Sequence, residues 1–155
     1  MPTIGEPAPE FALRDQHGAT HTLAEHAGRR AVLLVFYPHA FSSVCTRELD
    51  ALRDGLVRFD DEDVAVRALS CDPVFTLRAF AERDDLTFPL LSDFWPHGEV
   101  ASAYGVFDED RGCARRSSFV VDRAGLVRWS VHNELGDARD LAEPLRVLSG
   151  LSAQR

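Results

Sequence analysis

The sequence predicts an α/β fold: a central mixed sheet flanked by helices, with an N-terminal hairpin. Apolar runs of strand length alternate with segments whose apolar residues recur at helical spacing, which is typical of α/β proteins. Two of these runs are each followed by a helix, whereas the last two strands form a hairpin, so we expect a mixed sheet. The 155 residues suffice for one domain, 1–155, with a substantial core.

The first part of the chain begins with the N-terminal hairpin. Residues 11–23 predict two short strands that turn at His17-Gly18. The continuous apolar run AVLLVFY, residues 31–37, predicts a central strand buried on both faces. A helix follows and ends at the acidic run 60–63. Its apolar face steps by four, three, four and three positions through Cys45, Leu49, Leu52, Leu56 and Phe59.

The middle of the chain continues the alternation of strand and helix. Residues 64–70 predict a second core strand. Residues 73–84 predict a helix with a proline at its start, where proline is tolerated. Residues 88–93 predict a short extended segment, and the next helix closes at Gly105, a suitable C-cap.

The last part of the chain combines a hairpin with a helix. Residues 117–131 predict a hairpin that turns at 123–125. A C-terminal helix follows, and we expect it to begin near Pro144 or to kink there. Its apolar positions are Leu141, Leu145, Leu148 and Leu151.

Charge and composition exclude several classes of partner. The net charge of −8 leaves no basic surplus for nucleic acid or for an anionic membrane surface. No segment approaches the ~20 apolar residues of a membrane span, and residues 1–11 carry neither a basic start nor an apolar run. We therefore expect a cytoplasmic protein. All 17 basic residues are arginine, so any catalytic cation must be arginine or histidine.

The cysteine count argues against a disulfide framework. The chain has three widely spaced cysteines, Cys45, Cys71 and Cys113. An odd number at such spacing is not typical of a secreted protein held together by disulfides. No C-x-x-C occurs, which excludes a zinc ribbon and a dithiol oxidoreductase motif. Three histidines near the first hairpin are expected on a solvated surface rather than at a metal.

Cys45 stands out because it follows a strand and opens a helix. In α/β folds, active sites lie at the carboxyl ends of strands, and the first helical turn stabilises a thiolate. Ser42, one turn earlier, can cap the helix or hydrogen-bond the thiolate and an incoming oxygen. Pro38 removes a donor and bends the chain, which would shape a pocket. The alternative is that Cys45 is simply a small buried hydrophobe.

These residues carry a resemblance to a known family. PHAFSSVC, residues 38–45, resembles the peroxiredoxin motif P-x-x-x-[TS]-x-x-C, with serine where threonine is usual. APEFALRDQHG, VLLVFYP, TFPLLSDFWPHGEVASAYGVF and RSSFVVDRAG are similar to further peroxiredoxin segments, in the expected order. SDFWPHG and AYGVF are most similar to the alkyl hydroperoxide reductase E group, the one-cysteine peroxiredoxins of actinobacteria. The resemblance covers nearly the whole chain and implies a thioredoxin-like fold.

The resemblance also implies roles for individual residues. RSSF matches the family pattern R-x-[ST]-F and points to Arg116, which would hold the Cys45 thiolate and bind the peroxide oxygens. Glu48 falls where the family often has a supporting glutamate, and the N–H groups of Val44 and Cys45 would help to stabilise developing charge. Without the resemblance, Arg116 is simply a surface charge at a strand start.

The implied reaction is reduction of hydrogen peroxide and organic hydroperoxides through a sulfenic acid on Cys45, with no metal or organic cofactor. Asp50 occupies the position where one subgroup has its resolving cysteine. Cys71 is expected at the end of a core strand and Cys113 in a polar loop, so we expect an external thiol to resolve the sulfenic acid. The resemblance suggests mycothiol with mycoredoxin, or thioredoxin, as this thiol. Two alternatives remain: Cys113 resolves it, or Cys45 serves a peroxide-sensing redox switch. The resemblance further implies a homodimer formed through loops such as the one with Trp95.

Overall fold

The computed structural model describes residues 1–61, 63–132 and 142–153. Within these residues, nine strands are present. They are β1 (Ala12–Arg14), β2 (Thr20–Thr22), β3 (Ala31–Phe36), β4 (Val64–Ser70), β5 (Leu90–Ser92), β6 (Phe107–Asp108), β7 (Cys113–Ala114), β8 (Ser117–Val121) and β9 (Val127–His132). The described helices are α1 (Ser43–Asp54), α2 (Leu56–Asp61), α3 (Val74–Asp84), α4 (Glu99–Ala103) and α5 (Ala142–Ala153), with a 3₁₀ turn at Ala24–His26.

Seven strands form one mixed sheet in the order β2-β1-β5-β4-β3-β8-β9. The pairs β3–β4 and β4–β5 are parallel, whereas β8 runs antiparallel to β3, and β1 runs antiparallel to both β2 and β5. Every residue of β3 is buried, as its unbroken apolar run predicts. The mixed sheet, the N-terminal hairpin and the β8–β9 hairpin are confirmed.

Two apolar layers cover the two faces of the sheet. Leu33 and Val35 of β3 point into the layer that also holds Cys45, Leu49 and Phe80 from the helices. The intervening residues of β3 point into the second layer, because successive strand side chains face opposite sides. Residues of that second layer include Phe11, Val32, Leu34, Phe36, Val100 and Tyr104. The start of α1 therefore sits directly on the central strands.

The helix predicted from Cys45 to Phe59 is interrupted, and the prediction of one continuous helix is wrong. α1 ends at Asp54, and Gly55 (φ −93°, ψ 3°) separates it from α2. Glycine is a poor helix former because its backbone loses the most entropy on ordering. Phe59 on α2 is nevertheless fully buried in the same layer as α1, so the break preserves the apolar face.

The hairpin β6–β7 was not predicted, and it corrects the expected position of Cys113. This residue lies in β7 opposite Asp108 and is 1% exposed, rather than in a polar loop. Strands of two residues show no periodicity, and the polar sequence EDRG between them conceals the pairing. Gly112 makes the turn with a positive φ of 69° that favours glycine.

The remaining helices agree with prediction except at their ends. Pro73 is the N-cap of α3, and Pro144 lies in the first turn of α5. α4 spans fewer residues than expected, and Gly105 follows it with a φ of 72°. Leu148 is buried in the core, while Leu141 lies outside the described residues. In the part of the chain that the structure describes, no helix has the length and apolar character needed to span a bilayer.

Candidate active site

The site begins where the central strands end. β3 and β4 are parallel neighbours, so their carboxyl ends lie at the same edge of the sheet. Tyr37 N–H still donates to the Leu69 carbonyl (3.0 Å), which extends the ladder by one residue beyond β3. Pro38 has no N–H to continue it and is buried, so the chain leaves the sheet at that point.

Asp72 fixes the loop that follows Pro38. Its Oδ2 accepts hydrogen bonds from Ala40 N–H (2.8 Å) and from the Ser70 hydroxyl (2.8 Å). The carboxylate thus joins the segment after β4 to the segment after β3. The sequence analysis did not single out Asp72. Its position in the sequence could have identified it. A polar residue that follows a core strand lies at the same edge of the sheet as the loop after the neighbouring parallel strand.

Phe41 closes the loop in an unusual backbone conformation. Its φ is +70°, a region in which a side chain is strained. The ring packs against Phe80 with 5.1 Å between centroids, and the Arg83 guanidinium lies 4.8 Å above it, a cation–π contact. Arg83 Nη2 also donates to the Thr46 hydroxyl (3.0 Å) in the first turns of α1. Arg83 was not predicted, since its contacts depend on how α3 packs beside α1.

Ser42 caps α1, as its position predicts. Its Oγ accepts a hydrogen bond from Cys45 N–H (3.3 Å), and its carbonyl accepts the first helical bond, from Thr46 N–H (2.8 Å). Cys45 is the third residue of α1 and is completely buried. The Cys45 N–H, which we expected to stabilise developing charge on the peroxide, therefore donates to the Ser42 cap instead.

Arg116 reaches the same thiol from the other side of the sheet edge. It directly precedes β8, whose first residue, Ser117, pairs with Phe36 at the end of β3. Its Nη2 donates to Cys45 Sγ at 3.5 Å. Arg116 is 2% exposed, whereas its neighbour Arg115 is exposed. The structure thus separates the two arginines as the sequence pattern predicts.

Glu48 holds the Arg116 side chain in place. It lies one turn after Cys45 on α1, is 5% exposed, and its Oε1 forms an ion pair with Arg116 Nη1. A buried charge is tolerated only when it is paired and hydrogen-bonded, so the two side chains depend on each other. One guanidinium nitrogen is held by the carboxylate while another faces the sulfur.

The other two thiols differ from Cys45 in surroundings. All three cysteines are free and buried. Burial raises the pKa of Cys71 to about 12, with a further contribution from the nearby Asp93 carboxylate. Burial, followed by the charge of Asp108, also raises the pKa of Cys113. Both remain protonated at neutral pH, and a protonated thiol is a poor nucleophile.

Comparison with known proteins decides the family. Residues 4–130 match the AhpC/TSA family. The chain belongs to this family of peroxiredoxins. This confirms the predicted family, and the activity follows: the chain is a thiol-dependent peroxidase, with a hydroperoxide as substrate and a thiol as reductant.

An alkyl hydroperoxide reductase and a 2-Cys peroxiredoxin are both similar to it. The chain is 46% identical to alkyl hydroperoxide reductase E of Mycobacterium tuberculosis over 99% of its own length and 100% of that protein. It is 33% identical to the chloroplastic 2-Cys peroxiredoxin BAS1 of Spinacia oleracea, covering 97% of this chain and 60% of that one.

Solved peroxiredoxin structures share the fold. The reduced 2-Cys peroxiredoxin of Plasmodium vivax superposes with a TM-score of 0.89 at 27% identity, over 99% of this chain and 84% of the other. Peroxidoxin BcpB of Mycobacterium tuberculosis gives 0.86 at 30% identity, over 100% and 99% of the two chains. The predicted thioredoxin-like fold is confirmed.

Proposed function

We propose that this peroxiredoxin works by a one-cysteine mechanism, in which Cys45 reduces hydrogen peroxide and organic hydroperoxides and an external thiol resolves the product. The approach of Arg116 Nη2 to within 3.5 Å of Cys45 Sγ carries the proposal. A guanidinium stays charged at any physiological pH, and a thiolate is the attacking form of cysteine. The contact therefore places a fixed positive charge beside the reacting sulfur, in a site from which bulk water is excluded.

The proposed chemical step is an in-line displacement on the peroxide. The Cys45 thiolate attacks the terminal oxygen of ROOH, a sulfur–oxygen bond forms, and the oxygen–oxygen bond breaks. Sulfur loses two electrons and becomes a sulfenic acid, while the leaving alkoxide takes up a proton as ROH. Negative charge moves from sulfur to the leaving oxygen, and Arg116 with the Ser42 hydroxyl stabilises it along that line.

Neighbouring groups prepare this step. Ser42 Oγ accepts from the Cys45 N–H, which leaves its own O–H proton available for the thiolate or the peroxide. In the proposed mechanism the buried Pro38 shields the sulfur, and Glu48 orients the guanidinium through their ion pair. The N–H of Val44 belongs to the first helical turn, whose donors have no helical acceptor, and adds to the stabilisation.

Burial of the other thiols supports resolution by an external thiol. The pKa of both Cys71 and Cys113 is raised, and attack on a sulfenic acid requires a thiolate. In the proposed sequence, one external thiol displaces water from the sulfenic acid and forms a mixed disulfide. A second thiol then releases Cys45. Mycothiol with mycoredoxin, or thioredoxin, has the required chemistry, and we place the reaction in the cytoplasm, where such thiols are kept reduced.

An exposed aromatic loop supports a homodimer. Trp95 is 81% exposed and Phe94 45% exposed, on the segment between β5 and α4. Large exposed apolar side chains in one loop are typical of a protein interface. A second copy of the chain that covers this loop is the assembly we propose.

Rapid mixing of the reduced protein with one equivalent of peroxide tests the mechanism. With a dimedone-type trap present, we expect fast consumption of peroxide and a single adduct on the Cys45 peptide. A Cys45–Cys113 disulfide that forms before the trap reacts would make Cys113 the resolving residue. Slow consumption of peroxide would instead support the peroxide-sensing alternative. Turnover restored by mycoredoxin with mycothiol, or by thioredoxin, would identify the reductant.

A further inference from the structure

A cavity lies on the face of the sheet opposite Cys45. Arg67 sits on β4 between Val66 and Ala68, which point into the layer that contains Cys45. Because strand side chains alternate, Arg67 points to the other face. There it lines a cavity of about 360 Å³, together with residues of β2, the 3₁₀ turn and the segment before β3. This volume falls within the ~300–1,000 Å³ of small-molecule sites.

The lining of this cavity carries more positive than negative charge. Three arginines, Arg29, Arg30 and Arg67, face a single lining carboxylate, that of Glu25. Among the residues that the structure describes, none of these three guanidiniums lies within 4.0 Å of a carboxylate oxygen. The three positive charges therefore repel one another, and no carboxylate of the described residues forms a direct ion pair with any of them.

Arg67 is the most confined of the three. Its Nη1 donates to the Val66 carbonyl (2.9 Å), but its buried Nε has no hydrogen-bond partner in the described part of the chain. Burial, and then the charge of Arg30, lower the pKa of Arg67. A buried donor without an acceptor is destabilising, because it has lost its hydrogen bonds to water. An oxyanion in the cavity would supply both the acceptor and the missing negative charge.

Histidine side chains lie close to the nearby carboxylates. His21 Nε2 lies 2.7 Å from Asp15 Oδ2, and His26 Nε2 lies 3.3 Å from Glu25 Oε1. Arg30 Nε donates to His26 Nδ1 (3.3 Å), a neutral acceptor. Since none of the ion pairs found among the described residues involves Arg29, Arg30 or Arg67, their remaining donors can bind a molecule in the cavity.

We propose that this cavity binds the phosphate group of a small molecule. A phosphate carries close to two negative charges and several strong acceptor oxygens, and guanidiniums bind it in bidentate fashion. A cavity of about 360 Å³ is in the range of small-molecule sites, so an organic group can accompany the phosphate. Free phosphate and a small phosphomonoester share this chemistry. None of the residues involved takes part in the proposed peroxide reaction.

Direct titration of the reduced protein tests the proposal. Calorimetry with inorganic phosphate, with glycerol 3-phosphate and with glycerol, at constant ionic strength, gives the three affinities. We expect saturable binding of the first two with one ligand per chain, and none of glycerol. Tighter binding of the ester points to a phosphorylated metabolite, and equal binding points to free phosphate. Calorimetry is preferred to thermal melting, since phosphate stabilises many proteins by exclusion from their surface.

Two variants and one control connect the binding to the cavity. Arg30→Gln and Arg67→Met should each weaken phosphate binding by about tenfold or more, because each removes a charged donor. Arg78→Gln, at an arginine on α3 that is 60% exposed and outside the cavity, should bind as the parent does. Arg30 lies away from Cys45, so an unchanged peroxidase rate in Arg30→Gln shows that the variant is folded. No saturable binding to the parent, or equal affinity in Arg30→Gln and Arg78→Gln, would overturn the proposal.

Discussion

Arg116 Nη2 and Cys45 Sγ lie 3.5 Å apart although 71 positions separate the two residues in the chain. The pairing of Phe36 with Ser117 produces this contact, because it aligns the start of β8 with the end of β3. The permanent positive charge of the Arg116 guanidinium therefore lies beside a sulfur atom that is not exposed to solvent. The site is assembled by the sheet register as much as by the local motif.

Replacement of each cysteine separately tests which thiol reacts. We expect Cys45→Ser to abolish peroxide reduction, while Cys71→Ala and Cys113→Ala retain it with an external thiol. Alanine is chosen at the two buried positions because a buried hydroxyl without a partner would destabilise the fold. Steady-state peroxide consumption measures the outcome, and substantial activity in Cys45→Ser would refute the assignment.

Removal of the Arg116 charge should slow oxidation of Cys45 by about 10²–10³-fold, the loss typical when one donor to a developing oxyanion is removed. Arg116→Met alone strands the buried Glu48 carboxylate, so it is combined with Glu48→Gln. Arg115→Gln, at the exposed neighbour, serves as the control. The rate is followed against pH, and an unchanged plateau at high pH would limit Arg116 to stabilisation of the thiolate.

Ser42 is expected to serve both as cap and as catalytic donor. Ser42→Ala should cost about 1 kcal/mol in the free energy of unfolding, since the Cys45 N–H loses its acceptor. It should also slow the oxidation of Cys45, whereas Ser42→Thr should keep both properties. Urea unfolding and stopped-flow oxidation are measured together, with Ser43→Ala as control. Normal oxidation in a destabilised Ser42→Ala would leave only the capping role.

Loss of the Arg83 contacts should expose the thiol. Arg83→Gln removes the cation above Phe41 and weakens the bond to Thr46, so the loop before α1 should open more often. We expect faster alkylation of reduced Cys45 by a bulky maleimide, with little change in global stability. Arg78→Gln, on the exposed side of α3, provides the comparison. Equal alkylation rates in the two variants would show that Arg83 does not control access to the Cys45 thiol.

Stability should fall between pH ~6.5 and ~4 because of His26. Burial, with the charges of Arg67 and Arg30 opposing the effect of Glu25, lowers its pKa from 6.5 to about 4. In this pH window His26 is protonated in the unfolded chain but remains neutral in the folded protein. The free energy of unfolding therefore decreases as pH falls, by at most about 3 kcal/mol. Above pH ~6.5 the imidazole is neutral in both states and contributes no such cost. Denaturant unfolding of His26→Asn, which cannot titrate, should show a smaller loss over the same range.

The sequence predicted the parts of the site that depend on local order. The apolar run of β3 and the spacing of Pro38, Ser42 and Cys45 specify a strand, a turn and a capped helix within one segment. Arg116 could be named only because RSSF matches the family pattern. These features are local because each rests on neighbours within a few positions.

The contacts that cross between elements could not be predicted in the same way. Arg83 reaches the site because α3 packs beside α1, and Asp72 reaches it because β4 runs parallel to β3; neither residue shows a periodicity of its own. Cys113 was misplaced because two-residue strands leave no pattern in the sequence. The helix break at Gly55 was missed because the apolar spacing continues across it and into α2.

Gly55 confines any unwinding of the catalytic helix to a segment of fixed length. Helical hydrogen bonds are cooperative along a continuous run, and that run stops after the 12 residues of α1. Phe59, fully buried on α2, anchors the chain just beyond the break. A reductant that must reach the sulfur therefore needs only this one segment to loosen. Gly55 thus separates the helix that carries Cys45 from the part of the chain that Phe59 anchors in the core.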